Sequence, residues 1–324
     1  MQKKPLVSII TPCHNSEAFL NRLLDSILSQ TYPCVEMFAV DNDSTDKTAD
    51  IIKSYIPKFQ NRGYKLTYIH QDDLGPSSAI QTGLRVISGE YLLMPDSDDY
   101  YNTVYALEKW VDVFQSLSSD YAIVRCRLQF VNEDGLVATT VTKETGDENL
   151  FEDCLFGINN YCFAPINYMV KVSTLKELTG MEIFNAYNFG QQRQICVPLY
   201  YEYKAYTILE PLACYLVRKK SVSHGDYAKY PIQKTLYARK EEYIDSIFKC
   251  LRSMPATLRQ KLRNEFLRQE VKNITIRAIN TQAFDDLSQY CDDYQKYQGQ
   301  LLSLKLFIFQ YRLKQLIKSV LNRQ

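Results

Sequence analysis

The first hundred residues alternate short apolar runs with amphipathic stretches. Residues 6–10 read as a buried strand. Phe19, Leu20, Leu23, Ile27 and Leu28 then recur with a 3.6-residue period, which predicts a helix with Ser16 available as its cap. Residues 37–40 predict a second strand, and residues 45–55 a second helix stopped by Pro57. Residues 66–69 are a third strand. A third helix over 77–87 follows Pro76, which is tolerated near a helix start, and residues 91–94 are a fourth strand. Continuous apolar strands separated by amphipathic helices imply an α/β fold with a mainly parallel sheet covered on both faces.

The pattern loosens after residue 120. Residues 121–124 can continue the sheet, and 127–138 read as a hairpin turning at 132–135. Residues 188–202 predict a helix with Pro198 awkwardly at its middle, and 206–209 and 214–217 read as strands of an antiparallel addition. Beyond about residue 226 Gly and Pro nearly vanish, and the composition turns helical. The expected division is a first domain over 1–225, falling into halves at 1–105 and 106–225, and a helical region over 226–324.

Composition narrows the function classes. Hydrophobic residues make up 46% and charged residues 23% of the 324, which excludes a disordered chain. The net charge of +1 gives no global attraction to nucleic acid. No stretch approaches the roughly 18 apolar residues of a spanning helix, and no secretion signal is evident, so a cytoplasmic location is expected. The nine Cys are scattered singly, as buried free thiols of a reducing compartment would be. The 25 Tyr suit sugar stacking and ordinary half-buried packing equally.

In open α/β sheets ligands bind beyond the carboxyl ends of the strands. Polar clusters stand at all four ends: His14-Asn15, Asp41-Asn42-Asp43, Gln71-Asp72-Asp73 and Asp96-Ser97-Asp98-Asp99. Asp96 and Asp98, at alternate positions of an extended segment, can face one ion together. Hard cations such as Mn2+ or Mg2+ suit carboxylate oxygens and bridge to phosphates. The plainer alternative is an acidic turn at the start of a helix. Beside Pro12, the His14 imidazole can stack on a base and the Glu17 carboxylate can accept from a ribose hydroxyl; Asn15 and Ser16 can instead be helix caps.

Residues 7–15, 40–46 and 93–99 occur in the order and spacing of the family 2 glycosyltransferases, and the chain resembles that family closely over residues 5–105 and more loosely to His224. The resemblance implies a GT-A-like, Rossmann-type mixed sheet and transfer of a sugar, with inversion, from a UDP-sugar to a glycan or lipid-linked acceptor. It implies that Asp98 is the principal metal ligand, that Asp96 meets the ribose or the ion, and that Asp99 stands beside them or touches the donor sugar. It gives the base and ribose to Pro12, His14, Asn15 and Glu17 together with Asp41, Asn42 and Asp43, with Asn42 where the family commonly reads the uracil imide with a carboxylate. It places His224 in a segment that folds over the diphosphate, where a neutral imidazole can be a further metal ligand and a charged one can pair with phosphate. Asp46 is read as a helix-start residue.

Two departures stand out. Ile80-Gln81 replace an Arg-Asn pair that many members carry, and Gln191-Gln192 fall where an acidic pair often supplies the general base. An amide cannot take a proton but can orient a sugar or acceptor, so Gln191 and Gln192 are candidates to line the site. Asp153 and Glu182 are the remaining candidates for the base. Arg218, Lys219 and Lys220 can supply charge to the phosphates or decorate a turn. A noncatalytic nucleotide-sugar or glycan-binding protein is the alternative from another class, and a sugar-phosphate nucleotidyltransferase is the alternative enzyme.

In the last segment Leu302, Leu306, Phe309, Leu313, Leu316 and Val320 recur at steps of four and three among basic residues. The stripe is read as packing against the chain's own body or a second copy, or as lying on an anionic membrane at the inner face of the cell membrane.

Overall fold

The structure, a computed structural model, describes residues 4–72, 75–132, 135–139, 150–184, 190–218 and 229–321, with the backbone alone at 136–139 and 314–321. The chain divides into two compact units, Met1–Lys219 with Cys250–Arg252, and Lys220–Lys249 with Ser253–Gln324. The expected boundary near residue 225 falls in 219–228, outside the described residues.

The first unit opens with β1 (Val7–Cys13), α1 (Leu20–Leu28), β2 (Val35–Asn42), α2 (Thr48–Arg62), β3 (Lys65–Gln71), α3 (Pro76–Leu84) and β4 (Tyr91–Leu93). These strands pair in parallel in the order β3-β2-β1-β4. After them come β5 (Tyr100–Tyr101), α4 (Ala106–Ser116), β6 (Tyr121–Asn132), β7 (Gly135–Thr139), α5 (Phe151–Phe156), β8 (Tyr168–Lys171), α6 (Val172–Thr179), α7 (Gln191–Glu202) and β9 (Lys204–Leu216). They extend the sheet as β8-β6-β9-β5, with β7 paired to β6. Because β8 runs antiparallel to both β4 and β6, the sheet is mixed. The expected α/β, GT-A-like arrangement with helices at the C-terminus is therefore present.

The local reasons are visible in the packing. Leu20, Leu23, Leu24 and Ile27 on α1 are fully buried against the sheet. At the opposite end of the strands, Glu36 is buried and its Oε1 accepts from the Ser8 hydroxyl (2.6 Å) and the Ser88 N–H (2.6 Å), tying β1, β2 and the approach to β4 together. A Cβ on Gly83 would come within 2.4 Å of Ile10, so only glycine lets α3 lie this close to β1.

Several expected boundaries shift. Pro57 does not stop α2, which runs on to Gly63 at φ +81°. Buried Phe59 anchors the extra turn, and the N–H groups of Gly63 and Tyr64 satisfy the carbonyls of Gln60 and Phe59. Ser16 receives α1 through its carbonyl rather than its hydroxyl. Pro198 lies inside α7, where Ile195, Cys196, Val197 and Leu199 are fully buried and hold the helix on both sides of the missing N–H. The two strands expected over 206–217 are one strand, β9, and it runs parallel to β6. Its register slips between Cys126 and Arg127 of β6, where Leu209 and Glu210 bulge out just before Pro211. The hairpin of β6 and β7 forms as its turn residues indicate.

The second unit contains α8 (Tyr230–Ala238), α9 (Lys240–Phe248), α10 (Ala256–Asn280), α11 (Leu287–Lys296) and α12 (Leu301–Leu321). Tyrosine hydroxyls pair with acids across its interior: Tyr230 with Asp286 and Tyr237 with Asp293 at 2.6 Å, and Tyr297 with Glu241 at 2.7 Å. Part of the high tyrosine count therefore serves helix packing.

Candidate nucleotide-sugar site at the carboxyl edge of the sheet

The β1–β2 register sets Cys13 opposite Asp41, and the β2–β3 register sets Asn42 opposite Gln71. The polar residues that follow each strand consequently start from adjacent points on one edge. β4 pairs with β1 only as far as Ile9, so one side of Pro12 has no strand neighbour and its missing N–H is tolerated there.

Hydrogen bonds join these loops. The His14 ring Nδ1 lies 2.7 Å from the Asn42 carbonyl oxygen. Asn15, at φ +48°, accepts at Oδ1 from the Thr45 N–H (2.9 Å), and its own N–H donates to Ser44 Oγ (3.0 Å). Glu17 donates its N–H to Asp46 Oδ2 (3.0 Å) and accepts at Oε2 from the Lys47 N–H (3.2 Å). Asp46 also takes the Thr48 N–H (2.9 Å) just ahead of α2. Against the effect of partial burial, the donors Thr48 and Glu17 hold the Asp46 carboxyl below its ordinary value. Asp41 is buried, accepting from the Tyr68 hydroxyl (2.9 Å) and the Ser44 N–H (3.1 Å). The buried Asn42 Oδ1 accepts from Gln71 Nε2 (2.8 Å), while Asp43 is exposed at φ +57°.

The acidic turn after β4 is fastened to the same loops. Ser97 Oγ lies 2.7 Å from Ser16 Oγ. Arg22 of α1 stacks on Tyr100 and donates to the Asp98 carbonyl at 2.8 Å. Asp98 Oδ2 pairs with Arg218 Nη2 at 2.6 Å, and the Arg218 guanidinium lies over the Phe19 ring. Asp99 is fully buried: its Oδ1 accepts the Leu216 N–H (2.9 Å), and its Oδ2 has no hydrogen-bond partner among the described residues. The end of β9 is thereby drawn to the acidic turn, and Arg218, two residues on, reaches Asp98.

These carboxylates shift one another. Burial first, then repulsion from Asp98, pushes the Asp96 carboxyl up to about 7, with Arg218 opposing. Burial, followed by the charges of Asp98 and Asp96, raises the Asp99 carboxyl well above its ordinary value. A cation placed between these carboxylates would remove the repulsion that holds the protons on. Among the described residues no three His, Cys, Asp or Glu gather to hold a metal. Asp96 and Asp98 offer two hard carboxylates, a set that suits Mn2+ or Mg2+ completed by phosphate and water oxygens. His224 lies outside the described residues.

Gln191 and Gln192 begin α7 and are both buried, and Gln192 Oε1 has no hydrogen-bond partner among the described residues. Gln81, one of the two residues replacing the family's Arg-Asn pair, pins residues 181–183: it accepts from the Ile183 N–H (2.8 Å) and donates to the Met181 carbonyl (3.0 Å). Glu182 on that segment is exposed and 4.0 Å from Arg85. Asp153 is buried in α5, accepting from Asn159 (2.7 Å). Arg22 escaped the sequence reading. Its signal was its isolation, since no other Arg or Lys lies between Lys4 and Lys47.

In an open α/β sheet this carboxyl edge, where the polar loops and the acidic turn meet, is where ligands bind. The chain belongs to glycosyl transferase family 2, whose model matches residues 8–178. It is similar to the glycosyltransferase GlyA of Streptococcus pneumoniae, 26% identical over 223 residues, which are 67% of this chain and 31% of that protein. It is also similar to the poly(ribitol-phosphate) beta-glucosyltransferase of Bacillus spizizenii, 26% identical over 253 residues, 74% of this chain and 36% of the relative. The chain thus spans about a third of the length of these relatives. Among solved structures, S. aureus TarS 1–349 in complex with UDP-GlcNAc superposes with a TM-score of 0.69 at 19% identity, covering 90% of this chain and 80% of that one. The mannosyltransferase PcManGT of Pyrobaculum calidifontis, in complex with GDP-Man and Mn2+, gives 0.51 at 16% identity, covering 94% and 87%. These likenesses carry the fold.

Proposed function

We propose that the chain transfers a sugar from a UDP-sugar to a hydroxyl of a glycan or lipid-linked saccharide, with inversion and with the aid of Mn2+ or Mg2+. The observation that carries this reading is the acidic turn itself: Asp96 and Asp98 stand where the Ser97–Ser16 contact and Arg22 tie them to the loops bearing His14 and Asn42. The family match supports glycosyl transfer, and the complexes of TarS with UDP-GlcNAc and of PcManGT with GDP-Man and Mn2+ support a nucleotide-sugar donor and a divalent ion.

In this reading His14, Asn15, Glu17 and Asp41–Asp43 form the base and ribose pocket, entered past Pro12. Asn42, whose Oδ1 accepts from Gln71, meets the uracil imide. Asp96 and Asp98 hold the cation, which supplies charge neutralisation to the departing diphosphate. His224 is kept as a third contact to it. Arg218 meets a phosphate oxygen once released from Asp98. Asp99, wholly buried, positions the turn, and Gln191 and Gln192 orient the sugar or acceptor hydroxyl. The acceptor oxygen attacks the anomeric carbon, the bond from that carbon to the β-phosphate oxygen breaks, and the hydroxyl proton leaves to a base. Asp153 and Glu182 are the carboxylates proposed for that base.

The test is thermal stabilisation by UDP-GlcNAc, UDP-glucose and GDP-mannose with and without Mn2+, paired with UDP release. Stabilisation by a UDP-sugar that needs Mn2+, with slow UDP release to water or acceptor, is the expected result. The Gln191-Gln192 pair in place of acids favours a second reading, a binding protein without turnover. Stabilisation with no UDP release in the presence of any acceptor would select it, and no stabilisation by any nucleotide sugar would remove both.

A further inference from the structure

Helix α12 carries apolar side chains on two opposite faces. On one, Leu304 is fully buried and Leu301, Phe307, Ile308 and Tyr311 are half-buried, turned toward α10 and α11. The Tyr311 hydroxyl fixes that face by donating to Asn280 Oδ1 at 3.0 Å. On the other, Leu302, Leu306, Phe309 and Leu313 are 78, 53, 63 and 44% exposed. Steps of four, three and four place these four side chains in one stripe, and Leu316 and Val320 continue its period in the sequence. A helix that has already buried one face does not need a second apolar face for its own unit.

Charge decides what would cover it. From residue 301 to 324 the sequence holds Lys305, Arg312, Lys314, Lys318 and Arg323 and no Asp or Glu. At 100° per residue, Lys305 and Arg312 both fall along one margin of the stripe, and both are exposed. Two copies of this stripe laid together would bring like charges into line with no acid on either helix to pair with them. An anionic lipid surface meets both needs, because its acyl boundary accepts the leucines and phenylalanine while its headgroups accept the cations. No helix among the described residues is long and apolar enough to cross a membrane, so the contact is one of lying on the surface.

We propose that α12 docks flat on an anionic membrane surface through Leu302, Leu306, Phe309 and Leu313, with Lys305 and Arg312 at the headgroups. This goes beyond the donor chemistry and is separable from it: loss of vesicle binding would leave sugar transfer untouched, and loss of nucleotide-sugar binding would leave the vesicle result standing.

The full chain is sedimented with phosphatidylcholine vesicles and with vesicles containing phosphatidylglycerol, at low and high salt. The expected result is binding to the phosphatidylglycerol vesicles at least about tenfold stronger than to phosphatidylcholine, weakened by salt. The double variant Leu306→Ser/Phe309→Ser should lose binding with its far-UV circular dichroism unchanged, since both side chains are exposed. Lys305→Gln/Arg312→Gln should bind several-fold more weakly with the stripe intact. Failure to bind either vesicle overturns the proposal, as does equal, salt-insensitive binding to both. Self-association that the serine variant abolishes, without vesicle binding, assigns the stripe to a second copy and overturns it as well.

Discussion

Asp98 already has a cation beside it, and a carboxylate so paired binds a metal only if its partner shares or yields it. Arg218 reaches Oδ2 at 2.6 Å from one residue beyond Val217, past the end of β9. Replacing it with Met should leave the turn tied by Arg22 and Ser16 while removing the competitor. Calorimetric titration should then show tighter Mn2+ binding in the absence of nucleotide and UDP-sugar binding about tenfold weaker, the loss of one charge-assisted contact. Away from the site, Glu36→Ala would strand the buried hydroxyl of Ser8 and the N–H of Ser88, and urea denaturation should show a loss of about 2–3 kcal/mol. At this scale the sequence was legible for place at a strand end, as for His14 after β1, Asn42 closing β2 and Asp98 after β4. It was not legible for Arg22 or for the Ser16 hydroxyl, whose partners lie 76 and 81 positions away, a separation that local periodicity does not encode.

Among elements, the parallel half could be read because each strand is a short apolar run followed by a helix of clear period. From β6 onward the reading held only for the start of β6, its hairpin with β7, and α7. β9 carries Pro211 and an exposed Leu209, so its apolar pattern breaks where the bulge re-aims it, and one strand reads as two. Its parallel pairing with β6 brings Tyr121 beside Lys204, partners too far apart in the chain for a local pattern to indicate. Pro57 misled for another reason: the cost of a missing helical N–H was outweighed by the buried Phe59 beyond it and the left-handed Gly63 that ends the helix. The close approach of α3 to β1 at Gly83 gives a direct check. Gly83→Ala should cost about 1–3 kcal/mol in urea denaturation by forcing Ile10 and α3 apart, and the same substitution should cost less in an Ile10→Ala background, which lacks all three carbons that the new methyl meets.

Across the whole molecule, the two units rest on different devices. The first is a sheet sealed by apolar side chains; the second is a set of helices cross-linked by buried tyrosines and acids. Glu241 exemplifies the latter: against partial burial, hydrogen bonds from Lys296, Tyr297 and Arg263 pull its carboxyl down to about 2. A carboxyl with a folded pKa below its unfolded value stabilises fully above the unfolded value and loses that contribution as pH falls toward the folded one. Glu241→Gln should therefore destabilise the chain near neutral pH by about 1 kcal/mol, discounted for partial exposure, and the difference from the parent should shrink between pH 4.5 and about 2 in pH-dependent thermal melts. None of this interior was readable from composition, which left open whether 25 tyrosines served sugars or packing. The most direct measurement of the central claim concerns the acidic turn. Mn2+-dependent thermal stabilisation by a UDP-sugar should be present in the parent chain and absent in Asp98→Asn, while UDP alone without metal shifts both equally. An Asp98→Asn protein that keeps the full Mn2+-dependent shift would contradict it.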